Sequence, residues 1–539
     1  MKTFHRKLFL AFGVISAVLF SCSKEDEPTV TASLSFVQST IPTSELSYEG
    51  SSFEIEVEWA YTEWSIKAED AIEGKEFISA VTPARSGAVD GETTRTTVTV
   101  YYNTNRTSTV NRQQIVLKSL SENITDTVII AQEGKPIPKN SVVIDPEVTY
   151  QTISGFGGAN MIWGTDYLTS AEMDLAFSTD NDGLGLSLYR VRLSSIKNDW
   201  AGLVNSIKGA NERGVKVLAS PWSPPAEWKS NNSTNGGGSL LKEHYSDFAG
   251  YINEFIQFMD ENGAKIDVVS IQNEPDWAAS YEGCEYTPEE MFDFVRNYAG
   301  TIQGAKVMAA ESLNSKHSYT DDILNDPVAE QNLDIVGGHL YGSGLTPYPL
   351  AAQNGKELWM TEHLLNLDSG NNPDNWTADT DPKIIWDETM EMITEIQSAM
   401  EFSWNAYIWW YIRRYYSFLG DGEKGTSRGT ILKRGYAMSQ FSKFIRPGYE
   451  RIDAQLENAS ASITVTAYKG ENEIILVLVN ASDTESAEMS FKLPDGFSTA
   501  TTYTTSLSQN RGKEELAATN SEVNFTLSPS SVKTLVIRN

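Results

Sequence analysis

The chain has 539 residues, 40% of them hydrophobic and 11% aromatic, which suits a folded protein with several cores. Its 42 lysines and arginines face 72 aspartates and glutamates, and the resulting net charge of −30 argues against nucleic acid or an anionic membrane surface as partner. An anionic substrate would need locally placed arginines.

At the amino terminus Lys2, Arg6 and Lys7 precede an apolar run from Leu8 to Phe20, too short to span a bilayer, so residues 1–21 read as a signal peptide. The run ends in Leu19, Phe20, Ser21 and Cys22, which resembles a bacterial lipobox. That resemblance implies that Cys22 is lipidated and becomes the first mature residue, an anchor that is the chain's only contact with membrane. Residues 22–33 form an acidic linker whose SKEDE run at 23–27 resembles the export tag of surface lipoproteins, which implies a location on the outer membrane facing the cell exterior. Cys284 then stands alone, no intramolecular disulfide is possible in the mature chain, and the fold relies on its cores.

Residues 34–135 alternate short strand patterns (FEIEVEW at 53–59, WSIKA at 64–68, TTVTVYY at 96–102, QQIVLKS at 113–119, DTVIIAQ at 126–132) with polar breaks, which predicts a small all-β, immunoglobulin-like sandwich. The segment and its closing AQEG resemble the BACON domain, whose family name implies carbohydrate binding; a spacer is the other reading. Trp59, Tyr61 and Trp64 are either a sugar platform or core filling. Pro136 and Pro138 mark a linker within 136–151, and SVVIDPEVTYQ at 141–151 is a strand expected to pair with the carboxyl-terminal sheet.

From 152 to 435 strands and helices alternate, which predicts a parallel sheet with crossover helices. Eight strand candidates occur, at 152–159, 186–193, 215–222, 267–274, 306–312, 334–341, 357–364 and 406–412, with helical patterns such as 245–263 and 288–302 between them. Eight units in this length predict an α/β fold of the (β/α)8 TIM-barrel class. A doubly wound sheet is disfavoured, because GFGG at 155–158 lacks both the full dinucleotide glycine spacing and an acidic partner after the second strand. Residues 436–539 return to β patterns and predict a second β-sandwich, fused to the barrel as a side domain.

Two strands carry an acid at an otherwise apolar tip: DVVSIQNE, ending in Glu274, and ELWMTEHL, with Glu362. They lie 88 residues apart. Since a barrel unit averages about 31 residues, the two tips belong to strands 4 and 7, across the mouth from each other. Converging carboxylates of this kind cleave glycosidic bonds. Trp222 and Trp277 are expected to wall Glu274, raise its pKa and make it the acid/base; Glu362 is then the nucleophile. Asn273 is placed to bind a sugar hydroxyl beside the scissile bond, and Trp163, Trp222 and Tyr341 stand at or beyond strand tips as candidate sugar-stacking groups. No HxxxH, CxxC or P-loop spacing is present, so neither metal nor cofactor is expected.

GFGGA at 155–159, SPWSPPAEWK at 220–229, SIQNEPDW at 270–277, GGHLYG at 337–342, LWMTEH at 358–363 and WWYIRRYY at 409–416 resemble glycoside hydrolase family 30. The resemblance implies a retaining mechanism, a (β/α)8 barrel with a β side domain built from both chain ends, and the same assignment of Glu274 and Glu362. The 410–416 run resembles that of the glucuronoxylan-specific xylanases of subfamily 8, which implies that Arg414, with Trp410 and Tyr416, binds a methylglucuronic acid branch; Arg413 is expected to pair with a barrel carboxylate. Leu364 and Leu367 stand where that group carries a tyrosine and a nearby serine toward the branch, so branch dependence is expected to be weaker or differently built. The reading is a monomeric surface lipoprotein that is an endo-β-1,4-xylanase on glucuronoxylan. The alternatives are an exo-acting xylanase or β-glucanase of the same family, or a noncatalytic glycan-binding lipoprotein.

Overall fold

Period-two alternation dominates the amino-terminal third, and it buries every second side chain between two sheets. The computed structural model describes residues 30–107, 109–135, 140–364 and 372–539; the leader, Cys22, the 23–27 acidic run, Pro136, Pro138 and Leu367 lie outside the described residues. In the amino-terminal unit one sheet takes Ser33–Phe36, Ser51–Ala60, Thr94–Tyr102 and Ile78–Thr82, and the other Arg85–Ala88, Thr62–Glu73, Asn111–Ser119 and Thr125–Gln132. Ile55, Val57, Val98, Val100, Ile115 and Leu117 make the core between them, together with Trp59 and Trp64. Both tryptophans therefore fill the interior and offer no sugar platform; the Trp59 indole N–H donates to Thr96 Oγ1 at 2.9 Å. Tyr61 occupies the turn between Ser51–Ala60 and Thr62–Glu73 at φ 51°.

In the second unit eight parallel strands close on themselves: β1 Gly155–Ala159, β2 Leu188–Leu193, β3 Lys216–Pro221, β4 Val268–Ser270, β5 Lys306–Ser312, β6 Ile335–Leu340, β7 Glu357–His363 and β8 Ala406–Trp409, with β8 paired to β1. All eight expected strands are present. Leu188, Leu218, Val268, Met308, Ile335, Trp359, Ala406 and Ile408 form an apolar plug inside the barrel. On β1 the corresponding space is kept open by Gly157, where a Cβ would come within 2.2 Å of the Leu188 carbonyl oxygen. Two residues further along β2, β3, β4 and β7 the inward positions become Arg190, Ser220, Ser270 and Thr361, all buried. The period of two thus places a polar layer directly above the apolar one.

Helices cover the outside, among them Trp200–Asn211, Tyr245–Glu261 and Pro382–Glu401. Thr169 and Thr287 open helices Ser170–Phe177 and Pro288–Asn297 through reciprocal capping boxes with Glu172 and Glu290. The tips of two strands differ from expectation. β4 leaves the ladder at Ser270, four residues before Glu274, because the Asn273 N–H turns to the Pro221 carbonyl (2.8 Å) and the Glu274 N–H to the Glu311 carbonyl (3.0 Å). Glu274 itself has φ 47°, so it sits on a left-handed turn beyond the strand, and Pro275 does not end the strand. β8 likewise ends at Trp409, and Tyr411 turns at φ 59°.

The carboxyl-terminal strands form one continuous nine-stranded sheet rather than two separate ones. Ser141–Thr152 is part of it, antiparallel to Glu450–Glu457 (Leu456 opposite Val142) and parallel to Ala487–Lys492. The two halves of the sheet enclose Val142, Ile452, Leu476, Leu478, Phe491, Phe525, Leu535 and Ile537 as a sandwich core. Tyr468, Ile475, Val477, Val532 and Val536, on the opposite face, join the core of the barrel, so side domain and barrel are one packed body. Gly512–Leu516 is an additional edge strand whose polar sequence carries no alternation signal. Cys284 is a buried free thiol. Among the described residues no helix is long and apolar enough to cross a membrane.

Candidate active site

The polar layer of the barrel is centred on a guanidinium. Arg190, from β2, is fully buried; it donates to Glu362 Oε2 (2.6 Å), to Asn273 Oδ1 (2.6 Å) and to Ser220 Oγ (3.2 Å), and pairs with Glu311 at 3.1 Å. Trp222 covers it, 4.8 Å from ring centroid to guanidinium carbon. A charge this deep is tolerated only because it is paired on several sides. Glu362, on β7, accepts from Arg190 on one oxygen and from the Tyr341 hydroxyl on the other (2.6 Å). Both of its oxygens face donors.

Glu274 has a different environment. Its carboxylate is buried and pairs with His339 Nδ1 at 3.1 Å. Burial, and then the neighbouring charge of Glu362, push its pKa upward, against the opposing pull of His339 and Arg190. The other nitrogen of His339 faces Glu311 at 3.7 Å. Burial alone would lower the His339 pKa, but the carboxylates of Glu362, Glu274 and Glu311 outweigh it and hold it up at about 9. Burial would likewise raise Glu311, yet Arg190 and His339 hold its carboxyl below the usual range. The pocket therefore contains one carboxyl whose pKa is pushed up and one held in place by two donors.

Glu274, His339 and Glu362 present atoms within 4.8 Å of one another. This closeness matches a carboxyl pair that attacks directly better than the wider pair of an inverting enzyme. The same three groups suit a cation by distance alone. Arg190 and His339 already bring positive charge into that space, however, so the set is built for proton transfer and charge pairing.

The sequence-predicted residues divide into two groups. Glu274, Glu362, Asn273 and Tyr341 meet around Arg190, and Trp163, Trp222 and Trp410 form a row of rings along one side, with centroids 5.9 and 6.2 Å apart. Trp163 is 39% exposed, Trp410 half-buried and Trp222 buried, so Trp163 and Trp410 offer ring surface to a ligand while Trp222 supports them. Of the expected wall, Trp222 lies over Arg190, and Trp277 is 47% exposed, its backbone N–H donating to the Glu274 carbonyl at 3.1 Å and its side chain sharing the Tyr281 hydroxyl with the Glu274 carboxylate. Tyr281 thus approaches Glu274, and burial together with the two glutamates raises the pKa of its hydroxyl.

Arg413 and Arg414 diverge. Arg413 is buried, bonded to Glu172 (2.7 Å) and the Asp166 carbonyl (2.7 Å), the structural pairing expected of it. Arg414 is partly exposed and hydrogen-bonds with the buried Tyr416, while its Nη1 meets Asp421 at 3.3 Å and Glu423 at 3.7 Å. Tyr411 is close enough to both Glu362 and Arg414 to feel their charges, so it links the carboxylate cluster to the Arg414 cluster. Leu364 is half-buried against the barrel core. Sequence reasoning missed Arg190, Glu311 and Tyr281. Arg190 and Arg192 alternate within an otherwise apolar strand, and Glu311 ends an apolar run as Glu274 and Glu362 do; both signals were available.

Comparison with known proteins agrees with this geometry. A family model described as O-Glycosyl hydrolase family 30 matches residues 197–331. Glucuronoxylanase XynC of Bacillus subtilis (strain 168) is 39% identical over 366 residues, 66% of this chain and 82% of the relative. Among solved structures, a glycoside hydrolase family 30 subfamily 8 xylanase, Xyn30A from Clostridium acetobutylicum, superposes with a TM-score of 0.65 at 32% identity over 74% of this chain and all of that one. A GH30 endoxylanase from Clostridium papyrosolvens C71 gives 0.63 at 32% identity over 75% of this chain and all of that one.

The His339 environment has a consequence for stability. Its folded pKa lies above its ordinary value of 6.5, so the stabilisation it contributes is complete below pH 6.5 and disappears as pH rises through about 9. Thermal unfolding followed between pH 6 and 10 should show a fall over that window worth on the order of a few kcal/mol. A His339→Gln variant should be less stable at pH 6 and should lose the alkaline decline; an unaltered decline would assign it to other groups.

Proposed function

Since the chain belongs to glycoside hydrolase family 30, we propose that it is a retaining endo-β-1,4-xylanase acting on glucuronoxylan, with Glu274 as acid/base and Glu362 as nucleophile. The observation that carries this reading is the pair of unequal carboxyls within 4.8 Å, one raised in pKa by burial and the other facing two donors.

The mechanism follows from that asymmetry. Glu274, protonated, gives its proton to the glycosidic oxygen while Glu362 attacks the anomeric carbon and forms a glycosyl–enzyme bond; the leaving chain departs with the proton. Glu274, now anionic, takes a proton from water, which displaces Glu362 from the sugar and restores both groups. Arg190 and the Tyr341 hydroxyl hold Glu362 in line and stabilise it as it leaves. Arg190 also occupies Asn273 Oδ1, so Asn273 presents its amide N–H2 group to a sugar hydroxyl. His339, held cationic, limits how far burial raises Glu274 and returns positive charge once Glu274 has lost its proton. Trp163 and Trp410 supply ring faces for the xylan chain, and Arg414, with Tyr416 bonded to it, reads the carboxylate of a methylglucuronic acid branch. We also propose that Cys22 is the lipidated anchor of a cell-surface protein and that the amino-terminal unit is a BACON-like module; the lipobox-like run and the two-sheet architecture support these readings.

Glu362→Gln should lower turnover of xylan by at least about 10⁴-fold while the variant still unfolds cooperatively, at a temperature lowered by the lost pairing of Arg190; residual activity close to the parent's would remove Glu362 from the role. With Glu274→Ala, added azide should restore turnover and yield a β-linked glycosyl azide, since it attacks the glycosyl–enzyme from the face opposite Glu362; an α-linked product would exchange the two roles. Arg414→Ala should lower kcat/KM on glucuronoxylan by about 10- to 100-fold, the worth of one charge-assisted bond, and leave linear xylan much less affected. For the anchor, Cys22→Ala should release the protein from the membrane fraction and abolish labelling by a lipid precursor, and unaltered partitioning would refute it.

A further inference from the structure

Arg414 is not a vacant guanidinium waiting for an anion. Among the described residues two carboxylates of the following loop already face its Nη1: Asp421 at 3.3 Å and Glu423 at 3.7 Å. The two differ in kind. The Asp421 side chain is 8% exposed, and its second oxygen is committed to the loop, accepting the Glu423 N–H at 3.0 Å and the Thr426 hydroxyl at 3.4 Å. It is a fixed anchor that orients the arginine. The Glu423 side chain is 58% exposed, and no hydrogen bond holds its carboxylate, among the described residues. Its backbone is nevertheless kept in place, because Lys424 donates to the Asp374 carbonyl at 3.0 Å and lies 5.6 Å from the Tyr415 ring, which in turn is 5.5 Å from the Arg414 guanidinium. A tethered, solvent-exposed carboxylate is thereby held beside the guanidinium that a carboxylate-bearing branch would use.

We propose that Glu423 competes with the uronic acid branch of the substrate for Arg414, and so sets how strongly the enzyme favours branched over linear xylan. This rests on the reading of Arg414 given above. A planar guanidinium makes its best contact with one carboxylate at a time in the bidentate arrangement. Asp421 and Glu423 both face Nη1, so an incoming carboxylate that approaches the exposed side of the guanidinium meets the Glu423 charge beside it and must displace or repel it. When the branch is absent, Glu423 satisfies the arginine, so linear xylan passes without leaving an unpaired charge. Leu364 is packed on the barrel core, so that position supplies no polar contact to the branch.

The test compares initial rates on glucuronoxylan and on linear xylan for the full chain and for variants. Glu423→Gln should raise the glucuronoxylan-to-linear ratio by about two- to fivefold, the scale of one exposed ion pair, with the gain in KM on the branched substrate rather than in kcat. Glu423→Lys should raise it further. In an Arg414→Ala background the substitution at 423 should no longer move the ratio. A ratio unchanged by Glu423→Gln, or one that shifts equally with and without Arg414, overturns the competition while leaving the xylanase reading intact. An unmodified enzyme that degrades neither xylan overturns the reading itself.

Discussion

A guanidinium buried among three carboxylates is the constraint to which the rest of the catalytic end conforms. Arg190 has no access to water, so its charge must be met inside the protein, and Glu362, Glu311 and the more distant Glu274 meet it. Ionic groups in such a place cost several kcal/mol each unless paired and hydrogen-bonded, so losing one member strands the others. The same arrangement explains the difference between the two central glutamates. Glu362 takes a guanidinium and a phenol hydroxyl, while Glu274 is left with burial, a neighbouring negative charge and one imidazole. Two identical side chains thus sit in unlike surroundings, and those of Glu274 raise its pKa.

The barrel delivers this cluster by a simple repeat. A plug of Leu188, Leu218, Val268, Met308, Ile335, Trp359, Ala406 and Ile408 fills the lower interior. Two residues on, four of the strands turn Arg190, Ser220, Ser270 and Thr361 inward. Arg190, Glu311, His339 and Glu362 are thus set by strands, while Asn273, Glu274 and Tyr341 stand just past strand ends, Glu274 on a left-handed turn. The side domain adds stiffness from outside: one face of its sheet shares the core of the barrel, and its strand Ser141–Thr152 brings the chain that leads into β1 under the same sheet.

Around the carboxylates the site grades from rigid to adjustable. The buried Trp222 backs Arg190, the outer rings of Trp163 and Trp410 face the groove, and Arg414 lies further out with an anchored aspartate and an exposed glutamate. The buried carboxylate cluster and the Arg414 cluster are thus separate groups of charge, with Tyr411 between them.

Much of this was legible in the chain itself. Eight apolar runs with crossover helices implied the closed barrel, and the abrupt change from apolar to acidic at Glu274 and Glu362 marked the mouth, because strand burial and tip polarity are local properties of sequence. The wall expected from Trp277 is incomplete, because that ring is half exposed and reaches Glu274 through Tyr281, a residue whose part no local pattern announces. Arg190 went unnoticed because its partners Ser220, Asn273, Glu311 and Glu362 come from four other barrel units, and nothing in β2 alone names them. Sequence by itself determined the architecture, the two acids and the arginine that follows β8. Only the tertiary structure decided what surrounds each acid and what already faces that arginine, because both depend on charges brought together by barrel closure and by a loop folding back, across separations that a linear pattern does not encode.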